Sequence, residues 1–319
     1  MEPKSLLPLI LLGLAPLAGC GADFDPYSRL KTPRVLALKS DPPAPGPGET
    51  ATLSALTFLP AGQTASYAWS WCPAAGDPNQ GYPCALEETQ LRALLGGAEA
   101  PAYDLGTAPT ATFAHSLPPA ALEALCDRNP QTNQALGELA KFIDCKGGFA
   151  VQIRLVLRSQ KEGGAVETVS AIRTLRLRFG AIPANANPTI DALWAVDPTM
   201  RIDDSGASSP ALPRGKKTPI GAVARETDAE TYQGEDDDGR PATVRERLAF
   251  SWFVETGDLK FGRTSFIDGQ VPLDRATRNE LQPELLKDYD RPASKVVVVI
   301  RDNRGGVGWA SGLVNLEAK

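Results

Sequence analysis

Cysteine, histidine and carboxylate side chains are the groups in this 319-residue sequence whose chemistry reaches beyond packing. Of five cysteines, four (Cys72, Cys84, Cys126 and Cys145) lie between residues 72 and 145, and an even number in an oxidising compartment reads as two disulfides. Three pairings are possible. Cys72 with Cys84 and Cys126 with Cys145 would each close a short local loop, and by chain entropy each contributes on the order of 3 kcal/mol. Zinc is the competing use of thiols. No Cys-x-x-Cys spacing occurs, however, and the single histidine, His115, keeps no metal-ligand spacing to them.

Carboxylates are densest at Asp228-Ala229-Glu230 and Glu235-Asp236-Asp237-Asp238-Gly239. Such oxygens converging on a hard cation would bind calcium. Three consecutive Asp residues point in different directions and no EF-hand spacing is present, so Asp236 and Asp238 stand as candidate ligands against a solvated loop. A Ser-His-Asp triad would have to use His115, and no Gly-x-Ser-x-Gly elbow occurs. Gly215-Lys216-Lys217-Thr218 echoes the end of a P-loop, but Pro210 stands where its first glycine belongs and the second lysine displaces the threonine. Nothing selects an acid pair for glycoside hydrolysis. The expectation is a protein that is not an enzyme and needs no cofactor.

The fifth cysteine stands apart. Lys4 precedes the apolar run Leu6 to Pro16, which has the length of a signal h-region and is too short to span a bilayer as a lone helix. It ends in Leu17-Ala18-Gly19-Cys20, which resembles a bacterial lipobox. The resemblance implies removal of residues 1–19, a diacylglycerol on the Cys20 thiol, and acylation of the new amino terminus by a palmitate-type chain. The mature protein would then be a lipoprotein of the cell envelope whose membrane contact is the lipid on Cys20. Gly21, where an inner-membrane protein would carry Asp, leans toward the outer membrane.

Net charge is -5, a balance that argues against a nucleic-acid electrostatic footprint and excludes nucleic acid as an expected partner. The 29 glycines and 28 prolines exceed a sixth of the chain, and aromatic residues are sparse. That composition predicts a turn-rich, mostly β protein of two domains.

Residues 20–33 read as a lipidated tether. Beyond them, Arg34 to Leu38 and Thr50 to Phe58 read as strands separated by a Pro-Gly turn, and Ser66 to Cys72 alternates so that Tyr67, Trp69 and Trp71 share a face. This order resembles bacterial Ig-like or PKD-like β-sandwich modules, with Trp69 as the core aromatic. Residues 73–148 read as a helical insertion clipped by both disulfides. One helix is expected from Leu86 to Leu95, closed by Gly96, and one or two from Pro118 to Ile143. Such an insertion would be either a partner-binding cap or a stabilised loop.

Val151, Ile153, Leu155 and Leu157 alternate in the next strand, and a return strand runs from Val166 to Phe179. There Ile172 lies out of phase with Leu175 and Leu177, which predicts a bulge near Arg173-Thr174. Arg154, Arg158, Arg173, Arg176 and Arg178 would form a basic stripe outside. After a Pro-Asn linker at 181–188, the order repeats over 189–319. Strands are expected at Thr189 to Val196, Pro219 to Ala224 and Arg247 to Val254, with Trp252 in the place of Trp69. A closing hairpin turns at Asp302-Asn303-Arg304-Gly305-Gly306.

The whole reads as two tandem Ig-like domains, 34–180 and 189–319, the first with the insertion. The function expected is a lipid-anchored, non-catalytic binding or structural module for an envelope protein or polysaccharide. The alternative is a calcium-dependent carbohydrate binder or envelope hydrolase using the acidic loop.

Overall fold

The structure, a computed structural model, describes residues 26–74, 76, 80, 82–95, 97, 102–127, 143–235, 240–283 and 292–317. The expected signal peptide, Cys20, Gly96, residues 128–142 of the helical stretch expected from Pro118 to Ile143, Asp236 and Asp238 lie outside these residues.

The first sandwich packs two antiparallel sheets. One has the order β1 (Arg34–Asp41), β2 (Thr50–Phe58), β5 (Thr110–Ala114). The other has the order β4 (Asp104–Gly106), β3 (Gln63–Cys72), β6 (Phe149–Lys161), β7 (Val166–Leu177). Period-two alternation buries Val151, Ile153, Leu155 and Leu157, the first three in one core with Trp69, Trp71, Leu175 and Leu177. Each indole also has its polar edge satisfied, Trp69 by donating to Ala108 O at 3.0 Å and Trp71 to Ala102 O at 2.9 Å.

The expected insertion is only partly helical. It contains α1 (Glu88–Leu94) and α2 (Pro119–Cys126), but between them β4 pairs with β3 and β5 pairs with β2, so the chain returns to both sheets. In Thr110-Ala111-Thr112-Phe113-Ala114 the small alanines mute a period-two pattern that buries Ala111 and Phe113. The expected bulge is absent as well. Strands β6 and β7 pair in unbroken register from Phe149↔Leu177 to Gln160↔Val166. The phase change is Arg173 itself, which lies opposite Ile153 on the face shared by Leu175 and Leu177.

The second sandwich has one sheet in the order β10 (Ala211–Leu212), β19 (Val307–Leu316), β18 (Ala293–Arg301), β14 (Leu248–Val254), β16 (Arg263–Phe266). Facing it are β15 (Asp258–Leu259), β17 (Arg278–Gln282), β11 (Thr218–Val223), β8 (Ala192–Ala195) and β9 (Arg201–Ile202). A separate hairpin, β12 (Thr231–Glu235) with β13 (Pro241–Arg245), stands beside them, and one helical turn, α3 (Leu273–Ala276), leads into β17. Trp252 is buried here as Trp69 is in the first sandwich, and donates to Thr264 Oγ1 at 2.9 Å.

A third apolar cluster joins the two sandwiches. Leu30, Leu36, Ala37 and Phe58 meet Phe253, Val297, Val299 and Val307. This explains the unbroken run Val296-Val297-Val298-Val299-Ile300: its even-numbered residues fill the second core, and Val297 and Val299 fill the seam. The linker is equally engaged. Asn187 Nδ2 donates to Ser40 O at 2.9 Å, and its Oδ1 accepts from Val307 N at 2.9 Å. The backbone at Pro188 lies so close to Gly308 that a Cβ there would clash with it.

The described part of the expected tether also belongs to this body. Residues 28–30 continue the sheet along β14: Val254 N donates to Ser28 O at 2.9 Å and Leu30 N donates to Val254 O at 2.8 Å. Leu30 is 2% exposed, Tyr27 meets Phe253 edge-on, and Arg29 pairs with Asp258 at 2.7 Å.

Candidate functional site

Both short-loop disulfides form, Cys72 with Cys84 and Cys126 with Cys145. They clip segments that are tied to the core. Helix α1 starts in a reciprocal cap between Glu87 and Gln90, and its Leu91 is buried. Glu88 accepts from Tyr103 N at 2.7 Å, while the Tyr103 hydroxyl donates to Leu86 O at 2.9 Å. Burial and the Glu88 charge raise the Tyr103 pKa, so it is a neutral donor.

Asp228 and Glu230 of the acidic cluster are engaged internally. Asp228 accepts from both the backbone and the hydroxyl of Thr189, each at 2.8 Å, and Glu230 pairs with Arg304 at 3.3 Å. Among the described residues no cluster of three or more His, Cys, Asp or Glu has metal-binding geometry. His115 is 1% exposed beside Arg178 O, at 3.1 Å from Nε2, and burial lowers its pKa. Gly215 to Lys217 form a turn into β11, where Gly215 N donates to Pro283 O at 2.8 Å.

The expected basic stripe is dispersed. Arg176 pairs with Asp144 and Arg178 with Glu49, while Arg173 turns inward. In the seam, Arg173 Nη1 donates to Leu38 O at 2.7 Å and its Nη2 donates to Gly305 O. Burial lowers its pKa to about 10, which leaves it charged at neutral pH. Beside it, Arg301 Nη2 donates to Leu36 O at 2.8 Å and Nη1 to Ser251 Oγ at 3.2 Å.

A second arginine junction lies at the hairpin turn. Arg304 Nη1 meets Glu246 at 3.2 Å, and its Nη2 donates to Pro183 O at 3.0 Å and Ala184 O at 2.6 Å. Its guanidinium stands 4.5 Å from the Tyr232 ring centroid. Arg304 thereby ties the linker, the β12–β13 hairpin and the β18–β19 turn together. Glu246 is fully buried, and burial together with the nearby Asp302 charge raises its pKa to about 7. Pro183, Glu230, Tyr232, Gln233, Thr243 and Arg304 line an open groove of about 580 Å³ here. Sequence patterning gave no inward role to Arg173, Arg301, Arg304 or Glu246, because a charged residue carries no mark of the distant neighbour it will meet. The break in alternation at Arg173 was the one available signal.

No protein-family model matches the chain, and no curated protein matches it. Among solved structures, the D00-D0 domain of intimin is similar at 10% identity and TM-score 0.22 over 88% of this chain and 100% of that one. A 1.5-MDa bacterial ice-binding adhesin gives 10% identity and TM-score 0.23 over 91% and 67%. Three N-terminal domains of the bacteriophage RB49 outer capsid protein Hoc give 9% and 0.20 over 89% and 59%. The mostly β, Ig-like character rests on the strands and cores of the chain itself.

Proposed function

We propose that the protein is a lipid-anchored lipoprotein of the cell envelope whose two fused sandwiches act as a non-catalytic binding or structural module. The observation that carries this reading is the apolar seam. A joint that buries Leu30, Leu36, Phe58, Phe253, Val297 and Val299 and is pinned by arginines holds a surface rigidly, as display or recognition requires. The anchor is Cys20, with acylation giving durable membrane residence because several chains exceed the marginal hold of one. The outer membrane is the favoured site, and an envelope protein or polysaccharide is the partner class.

Mass spectrometry of the purified protein tests the anchor: a diacylglyceryl adduct on Cys20 is expected, and an unmodified thiol overturns it. Capture from envelope extracts, comparing oxidised protein with protein whose two disulfides are reduced, tests the insertion as the recognition element. Identical partners in both states would defeat that role. The calcium-dependent reading is disfavoured by the internal engagement of Asp228 and Glu230. A rise in melting temperature on calcium addition would restore it.

A further inference from the structure

One end of the second sandwich combines features that point to a lipid surface. Val196 has φ 72°, a left-handed conformation that a β-branched residue adopts only under strain, and its N–H is held by Pro219 O at 2.8 Å. The turn is fixed further by Asp197, which accepts from Thr199 N at 2.8 Å. What this geometry produces is a pair of protruding apolar side chains, Val196 at 40% and Met200 at 42% exposure. Lys216 and Lys217, both exposed, precede β11 at the same end, since β11 begins at Thr218 and its Ile220 pairs with Ala195.

The N-terminal segment reaches this end too. Arg29 pairs with Asp258 of β15, and β15, β17, β11 and β8 are successive strands, so Asp258 and Val196 stand about 15 Å apart. Arg29 N donates to Pro26 O at 2.8 Å, closing a reverse turn over residues 26–29 beside that end. Between Cys20 and Pro26 are six peptide units, a reach of about 20 Å at full extension. An acylated Cys20 would therefore keep Pro26 within about 20 Å of the leaflet, with the Val196 corner about 15 Å along the sheet from the Arg29–Asp258 contact. Tyr27 and Phe261, at 73% and 46% exposure, flank the edge where the segment joins.

We infer that the β8–β9 corner, with Val196 and Met200 at its tip and Lys216 and Lys217 beside it, rests on the anionic lipid surface to which Cys20 is joined. The inference rests on the lipid-anchored reading above. The apolar pair enters the headgroup region, and the lysines meet lipid phosphates.

The test uses the full acylated chain in phosphatidylethanolamine–phosphatidylglycerol vesicles, with Val196→Cys labelled by an environment-sensitive fluorophore. Ala93→Cys on α1 serves as the reference site, and Met200→Cys repeats the measurement should the Val196 variant fold poorly. Nitroxide-bearing lipids are expected to quench the labels at 196 and 200 several-fold more than the label at 93. Lys216→Glu with Lys217→Glu should reduce that difference. Equal, weak quenching at all three sites on protein shown by mass to carry the lipid overturns this inference alone. An unmodified Cys20 overturns both readings.

Discussion

Arg301 donates from Nη2 to the carbonyl oxygen of Leu36 at 2.8 Å, across 265 residues of sequence. Two residues along the same strand, Leu38 O accepts from Arg173 at 2.7 Å. Strand β1 is the edge of its sheet, and such an edge leaves alternate carbonyls without ladder partners. The two guanidiniums cap that edge and join the sandwiches. Arg301→Met and Arg173→Met, which keep the stem and remove the donors, are each expected to cost about 1–3 kcal/mol in urea denaturation. A cost near zero for both would make the pins incidental.

Leu30 and Phe253 share the seam cluster. Leu30→Ala should cost about 2–5 kcal/mol and Phe253→Ala about 3–5 kcal/mol. Neutrality of Leu30→Ala would show that the N-terminal segment is a free tether after all.

The disulfides close loops of sequence separation 12 and 19. Cys72→Ser with Cys84→Ser, or Cys126→Ser with Cys145→Ser, should each lower stability by about 3 kcal/mol. Hydrogen exchange should locate the loosening in α1 or α2, with β6 still protected. Loss of protection throughout β6 would contradict the view that the core holds without the clips.

Two buried groups make opposite demands on pH. His115 has its pKa lowered by burial, so the unfolded chain takes up its proton more readily and stability falls as pH drops below about 6.5. Glu246 has its pKa raised from 4.5 to about 7 by burial, so the folded state holds the proton longer and stability falls as pH climbs across that interval. Chemical denaturation between pH 4 and 8 should show His115→Gln removing the acid-side loss and Glu246→Gln removing the fall on the rising side. Unchanged profiles in both variants would rule these groups out.

Gly308 faces the backbone at Pro188. Gly308→Ala should push the linker off the hairpin and cost about 1–3 kcal/mol. A thermal melt identical to that of the parent protein would mean the linker yields freely.

Much of the fold was legible because its signals are local. The Tyr67-Ala68-Trp69-Ser70-Trp71 alternation, the Val151 to Leu157 alternation and the valine-rich strand before Asp302 each carry their period in a few residues. The closest-spaced cysteines paired as loop length predicts. Strand β5 was missed because Ala111 marks its inward face with a single methyl group, and the bulge was misread because an inward arginine imitates a slipped register.

By itself the sequence carried the alternating strands around Trp69, Val151 to Leu157 and Val296 to Ile300, and favoured the two short-loop disulfides that form, all through neighbours close in the chain. Only the tertiary structure decided that the sandwiches share a seam, that residues 28–30 extend the second sheet, and that Arg173, Arg301 and Arg304 close the junctions. The reason is physical: a buried guanidinium is stable only where carbonyl oxygens converge on it. Here those oxygens belong to Leu36, Leu38, Pro183, Ala184 and Gly305, residues that folding alone brings within reach.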